Sequence, residues 1–205
     1  MDLAAPILPV DPELFDRFAA LERHWVRTWV SAVPYGQREA LGLRYCTIDD
    51  GNDVVACDAL PHMICNRVLG HGLADARAMT RAIAALRPDN ALLVLGCGDG
   101  VATQARTLGL QPFRRDSQVL VRGTSLAAHV PVACRIERAD RRHVEAIASI
   151  FSEAFALPQA LGIAIAHAIE RPSVHGYLAF DGDTAVAAAL MLVDRHHAYL
   201  AGGAT

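Results

Sequence analysis

The chain has 205 residues, of which 53% are apolar and 20% charged, so it carries ample core material and is the reverse of a disordered composition. Its 19 basic and 22 acidic residues leave a formal charge of −3, which gives no reason to expect nucleic acid as a partner. Five cysteines (Cys46, Cys57, Cys65, Cys97, Cys134), odd in number and without a Cys-x-x-Cys, argue against a disulfide scaffold and for a reducing cytoplasm.

Met1-Asp2-Leu3 is not a charged-then-apolar leader. The longest apolar run, Ala185 to Val193, is far short of the ~20 residues that a bilayer span needs, so a soluble protein without a membrane partner is expected. Aromatics are only 6% and alanine is abundant, so the core should be helix-rich and finely packed. Arg114-Arg115, Arg138 and Arg141-Arg142 read as solvated edges.

Asp11-Pro12-Glu13 is a helix start. Leu14, Phe18, Leu21, Trp25 and Trp29 then recur at helical spacing to about Val33, where Pro34 and Gly36 close the helix. Leu41 to Ile48 reads as a strand and Asp49-Asp50-Gly51-Asn52 as a turn. Val54 to Ala56 and His62 to Leu69 read as extended, interrupted at Pro61. Leu73 to Leu86 is a helix with Met79, Ile83 and Leu86 on one face. Ala91 to Leu95 is a buried strand, Gly96-Cys97-Gly98-Asp99-Gly100 a tight turn, and Val101 to Leu108 a helix. Gln118 to Arg122 is a strand, and Gly123 to Pro131 a linker.

Beyond the linker, Val132 to Glu137 is a strand leading to a helix start at Asp140. Val144, Ile147, Phe151 and Ala154 line the next helix, and Pro158 begins another that Arg171-Pro172 ends. Gly176 to Phe180 and Ala185 to Val193 form a hairpin around Asp181-Gly182-Asp183. His197 to Ala201 is a last strand, running into Gly202-Gly203-Ala204-Thr205.

Several local motifs invite chemistry. The strand Leu92 to Leu95 entering Gly96-x-Gly98-x-Gly100 is the kind of turn that lets a backbone approach a nucleotide. It is similar to the first motif of S-adenosylmethionine-dependent methyltransferases, with Asp116 near the place of that family's ribose-binding acid. The alternative is a turn that simply requires positive φ. Cys57, His62, Cys65 and His71 have the residue types of a zinc site but not its usual spacing, and buried cysteines are the favoured reading. His196-His197 could supply an acid or base, although adjacent strand residues face opposite ways. Ser125 has no cue for a base. No catalytic residue is assigned.

The order strand, two helices, hairpin, strand and small-residue exit resembles the first half of a GNAT-type N-acetyltransferase domain. The likeness is carried by Arg135-Ile-Glu-Arg-Ala139 with Asp140, Phe151-Ser-Glu-Ala-Phe155, Tyr177 to Asp183, Val186 to Ala189 and Ala198 to Thr205. The first half, with Asn66-Arg-Val-Leu-Gly70, Gly109-Leu110 and Val119-Leu-Val-Arg122, is similar to the degenerate partner domain of tandem members. The resemblance implies an α+β fold of two such units, each with helices on a mixed, mostly antiparallel sheet: residues 1–125, and residues 132–205 as an incomplete second unit.

It further implies acyl transfer from acetyl-CoA to an amine, on a small molecule or a protein N-terminus. Gly203, Ala204 and Thr205 would line the cofactor through their main chain. The family's Arg/Gln-x-x-Gly-x-Gly/Ala pyrophosphate loop would begin where these 205 residues stop, so impaired activity is expected of the chain as it stands. The other readings are a non-catalytic module that pairs through an open strand edge as a homodimer, and a methyltransferase using Gly96 to Gly100.

Overall fold

The computed structural model describes residues 12–49, 52–70, 75–86, 93–95, 99–111, 134–195 and 197–205. Helix α1, Pro12–Ala32, forms where the tryptophan spacing predicts it. Trp25, Val26, Trp29, Val30 and the following Val33 are buried, while Asp16, Arg17, Ala20 and Arg27 face outward. Residues three and four apart share a helical face, so one stripe leaves water.

A second helix, α2 (Tyr35–Leu41), follows at once, so Pro34 and Gly36 do not open a loop. Pro34 is extended, with ψ 140°, and redirects the chain; Gly36 lies inside α2. Gly42 ends this helix at φ 58°. Its N–H donates to Glu39 O at 3.0 Å, and the Leu43 N–H donates to Arg38 O at 2.9 Å. That pattern is a Schellman close, which needs a left-handed residue. The strand expected from Leu41 consequently starts only at Arg44.

The first sheet has the order β1 (Arg44–Asp49), β2 (Asn52–Ala56), β3 (Arg67–Gly70), β4 (Leu93–Leu95). The first three strands are antiparallel neighbours and β4 runs parallel to β3. Helix α3 (Ala76–Ala84) lies in sequence between the parallel pair, its N-terminus capped by Asp75, which accepts from Arg77 N at 2.8 Å. Helix α4 (Asp99–Thr107) follows β4.

The extended stretch expected from His62 is turn as far as Asn66. The Asn66 amide stands in for a ladder partner. It donates to Leu60 O at 2.8 Å and His62 O at 3.1 Å, and accepts from Cys57 N at 3.0 Å. Asparagine competes with regular pairing in this way.

Strand β2 is buried along its whole length because both faces of the sheet are covered. Val55 and Leu69 join the core that holds α1, whereas Val54, Ala56 and Val68 pack with Met79, Ala82 and Leu86 from the α3 side. A strand covered on both sides reads as a continuous apolar run instead of an alternation.

The second sheet has the order β5 (Arg135–Ala139), β6 (Val174–Asp181), β7 (Thr184–Asp194), β8 (His197–Ala204), and every neighbouring pair is antiparallel. Between β5 and β6 come α5 (Val144–Ala154), α6 (Gln159–Ala166) and a 3-10 turn at His167–Glu170. Asp140 caps as expected: its carboxylate accepts from Arg142 N at 2.9 Å, and its own N–H donates to His143 Nδ1 at 3.1 Å. This reciprocal box satisfies two orphan donors. It opens a 3-10 turn, Arg141–His143, before α5 begins.

Gly162 lets α5 and α6 come close. A Cβ there would lie 2.2 Å from Ser152 Oγ and 2.8 Å from Ala148 O. The β6–β7 hairpin has positive φ at Gly182 (59°) but not at Asp183, the pattern of a two-residue type II′ turn. Val174, Gly176 and Leu178 of β6, with Ala188, Leu190 and Leu192 of β7, point into the core, the alternation expected of a sheet with one well-covered face.

Helix α1 belongs to both sheets. It packs on β1 and β3, and also on α6, the His167–Glu170 turn and β8. One buried cluster runs from Trp25 and Trp29 through Val55 and Leu69 to Ile147, Phe151, Leu190 and Leu192. The architecture is α+β, with six helices and two sheets among the described residues. No described helix is long and apolar enough to cross a membrane. Gly96 to Gly98, Asp116, the strand read at Gln118 to Arg122, the Gly123 to Pro131 linker, His71 and His196 lie outside the described residues.

Candidate functional site

Among the described residues strand β8 is an edge, hydrogen-bonded only to β7. The strand expected over His197 to Ala201 continues to Ala204, so the small-residue exit is itself strand. Gly203 stands opposite Ala189 and Ala204 opposite Ala188. Thr205 follows the strand and is exposed.

The register slips on the way: Leu200 faces Met191 while Gly202 faces Leu190, leaving Ala201 as an extra residue. Such a bulge bends and twists its strand. The glycines beyond it have different surroundings. A Cβ on Gly202 would lie 3.2 Å from the Phe151 ring, so Gly202 is small in order to pack against α5. A Cβ on Gly203 would meet no heavy atom of the described residues within 4 Å. Ala204 is buried. Of the three residues expected to line a cofactor, Gly203 and Thr205 are therefore open to one, and Ala204 can contribute only main chain. Leu200, at 77% exposure, is the most exposed of the large apolar side chains on this edge.

Four residues before Gly203, Tyr199 turns away from that end of the strand. Its ring lies beside Phe18 of α1, with centroids 6.0 Å apart. Its hydroxyl donates to the Glu22 carboxylate. Glu22 Oε1 in turn accepts from Arg67 Nη1 at 2.7 Å, and both charged residues are buried. The result is a charged bridge from α1 to β3 and β8. A parallel contact joins Tyr45 of β1, whose hydroxyl donates to Asp53 Oδ2 at 2.6 Å, with Arg23 Nε 3.7 Å from the same carboxylate oxygen.

This bridge escaped the sequence reading, although a signal was present. Glu22 falls three residues before Trp25 on the apolar face of α1, and Arg67 opens an otherwise apolar strand. A charge in an apolar stripe points to a partner elsewhere in the fold.

Burial, and then the charge of Glu22, push the Tyr199 phenol above the usual range; burial, and then the bond to Asp53, do the same for Tyr45. Both keep their protons in the folded chain at a pH where the unfolded chain releases them, at about 10. The unfolded state then binds fewer protons, so stability falls as pH rises through this range. The urea midpoint should hold steady up to pH ~9 and drop beyond pH ~10, and Tyr199→Phe should flatten part of the drop. A midpoint indifferent to pH across that window would contradict the buried-phenol account.

The remaining sequence candidates are only partly gathered. Among the described residues no group of three or more His, Cys, Asp or Glu is arranged to hold a metal. His62 instead accepts from Ile64 N through Nδ1 at 3.2 Å. The segment around Gly96 follows β4, a strand that runs parallel to β3, and precedes α4. His197 stands opposite Asp194 in the ladder, and His24 Nδ1 of α1 approaches Asp194 Oδ2 at 3.4 Å.

In comparisons with protein-family models, curated proteins and solved structures, none matches this chain.

Proposed function

We propose that residues 134–205 are the strand–helix–helix–hairpin–strand half of a GNAT-type N-acetyltransferase, and that the chain takes acetyl-CoA beside the end of β8 for acyl transfer to an amine. The observation that carries this reading is the bulged edge strand ending at Gly203. Among the described residues its main chain is unpaired on one side, and the space beside the Gly203 Cα is open.

A thioester ligand laid along this edge beside Gly203 can accept from and donate to peptide groups. The amide and carbonyl groups of a pantetheine-like chain fit such an edge, because each wants one main-chain partner. Acetyl-CoA supplies the acyl group when bound. This chain's contribution at the edge is to orient that ligand. The N-terminal sheet joins through α1, which holds β8 from behind by way of Glu22 and Tyr199. That support makes the edge a fixed platform rather than a fraying strand end.

Binding is the direct test. Acetyl-CoA should raise the melting temperature of the full chain, and S-adenosylmethionine should not. Gly203→Leu should leave the melting temperature of the free protein within a degree or so, because its side chain meets open space, yet weaken acetyl-CoA binding by about tenfold or more, the effect of losing roughly 1.4 kcal/mol. Stabilisation by S-adenosylmethionine alone would replace this reading with the methyltransferase one. Equal acetyl-CoA binding by Gly203→Leu would remove β8 from the site.

A further inference from the structure

Cys57 and Cys65 flank the loop between β2 and β3. The β2–β3 register pairs Val54 with Val68 and Val55 with Arg67. Cys57 and Cys65 lie two residues past the end of that ladder, on the two arms of the loop, and Asn66 touches both. The two thiols are hydrogen-bonded to each other, and both are free.

The surroundings hold this alignment. Asn66 fixes Cys57 N through its Oδ1 at 3.0 Å, and its Nδ2 lies 3.7 Å from Cys65 Sγ. Cys57 Sγ donates to Leu41 O at 3.3 Å, and Asp58 N and Ala59 N donate to the same carbonyl at 3.1 Å each. The loop is thereby pinned to the end of α2, with both sulfurs beneath it.

We propose that Cys57 and Cys65 are a redox-active dithiol that closes to an intramolecular disulfide on meeting a hydroperoxide. The sulfur of Cys57 attacks one peroxide oxygen. An S–O bond forms, the O–O bond breaks, and the departing hydroxide takes up the thiol proton as water. Cys65 then attacks the Cys57 sulfur. The S–S bond forms, the S–O bond breaks, and a second water leaves with the Cys65 proton. Two thiols and one hydrogen peroxide give one disulfide and two waters, with both sulfurs oxidised and the peroxide reduced.

The order of attack follows from the shared hydrogen bond. It holds Cys57 below the usual thiol range and, together with burial, pushes Cys65 above it. A thiolate is the attacking form. Access comes through the loop. The two cysteines are buried, but Ala59 and Pro61 are exposed and Asp58, His62 and Ile64 half-exposed. Brief local opening of such a loop admits an oxidant the size of water. Closing the bond withdraws the Cys57 S–H from Leu41 O, while the two backbone donors to that carbonyl remain. The disulfide therefore stiffens the loop without releasing α2.

The test is peptide mapping of the reduced full chain after hydrogen peroxide, quenching and alkylation in denaturant. Cleavage before aspartates separates the cysteines, Cys57 onto residues 53–57 and Cys65 onto residues 58–74. The expected product is these two peptides joined, lighter by two hydrogens and parted by dithiothreitol, with Cys46 and Cys134 still alkylated. Cys65→Ser should abolish the link and leave a Cys57 sulfenic acid that dimedone traps. Full alkylation of Cys57 and Cys65 while the exposed Cys46 oxidises overturns the proposal. So does a link from Cys57 to any other cysteine. The wild-type map decides the matter even where the Cys65 variant folds poorly.

Discussion

Replacing Glu22 by alanine should lower the unfolding free energy by about 3–5 kcal/mol, the usual cost of removing one partner of a buried ion pair. The loss is that large because two groups depend on this carboxylate. Arg67 Nη1 donates to it at 2.7 Å, and the Tyr199 hydroxyl donates to its other oxygen. Among the described residues Arg67 Nε already lacks a partner in its buried position, so without Glu22 the guanidinium charge would be stranded in low dielectric.

The triple change Glu22→Leu, Arg67→Met, Tyr199→Phe should recover most of the loss, because apolar groups of similar volume often replace a buried pair without penalty. Urea denaturation of the single and triple variants checks both statements. A loss below about 1 kcal/mol for Glu22→Ala would mean a solvated, surface-like pair.

Trp29→Ala should cost a similar amount, about 3–5 kcal/mol, for a different reason. Trp29 is fully buried and belongs to the cluster that includes Val55 and Leu69 of the first sheet and Leu190 and Leu192 of the second. Deleting the indole leaves a cavity between two sheets that cannot both collapse onto it. Thermal unfolding should remain a single transition shifted to lower temperature if the sheets share one cooperative core. A second transition appearing in the variant would show that α1 couples two units that also melt separately.

Much of the fold was legible in the chain itself. The α1 stripe, the Asp140 cap, the Gly182 hairpin and the alternation along β6 and β7 are local patterns that depend on spacing and on turn chemistry. Where the reading failed, a longer-range contact intervened. Leu41 looked like the start of a strand because it is apolar and leads into Tyr45. It ends a helix because Gly42 closes that helix in a left-handed conformation and the 57–66 loop docks on the Leu41 carbonyl. His62 to Asn66 looked extended, but the Asn66 side chain took over the hydrogen bonds that a ladder would have used.

The site was legible to a lesser degree. Gly202 and Gly203 are alike in the sequence. Only the packing of Phe151 separates a glycine required by the core from one that faces open space. Tyr199 packs against Phe18 of α1. Its bond to Glu22 spans most of the chain and has no local signature. Cys57 and Cys65, eight positions apart, carry no recognised motif; the return of the loop between β2 and β3, with Asn66 touching both arms, is what brings them together.

By itself, then, the sequence determined the elements whose causes lie within a few residues: amphipathic spacing, caps, turns and the order of helices and strands. Tertiary structure decided which faces those elements share. Helix α1 could have served one sheet, yet it is buried between two, because its stripe is wide enough to cover β3 on one side and β8 on the other. The charged bridge, the open edge at Gly203 and the paired thiols all follow from that placement and from strand register. Contacts between distant residues gain their stability from joint burial, which no window along the chain records.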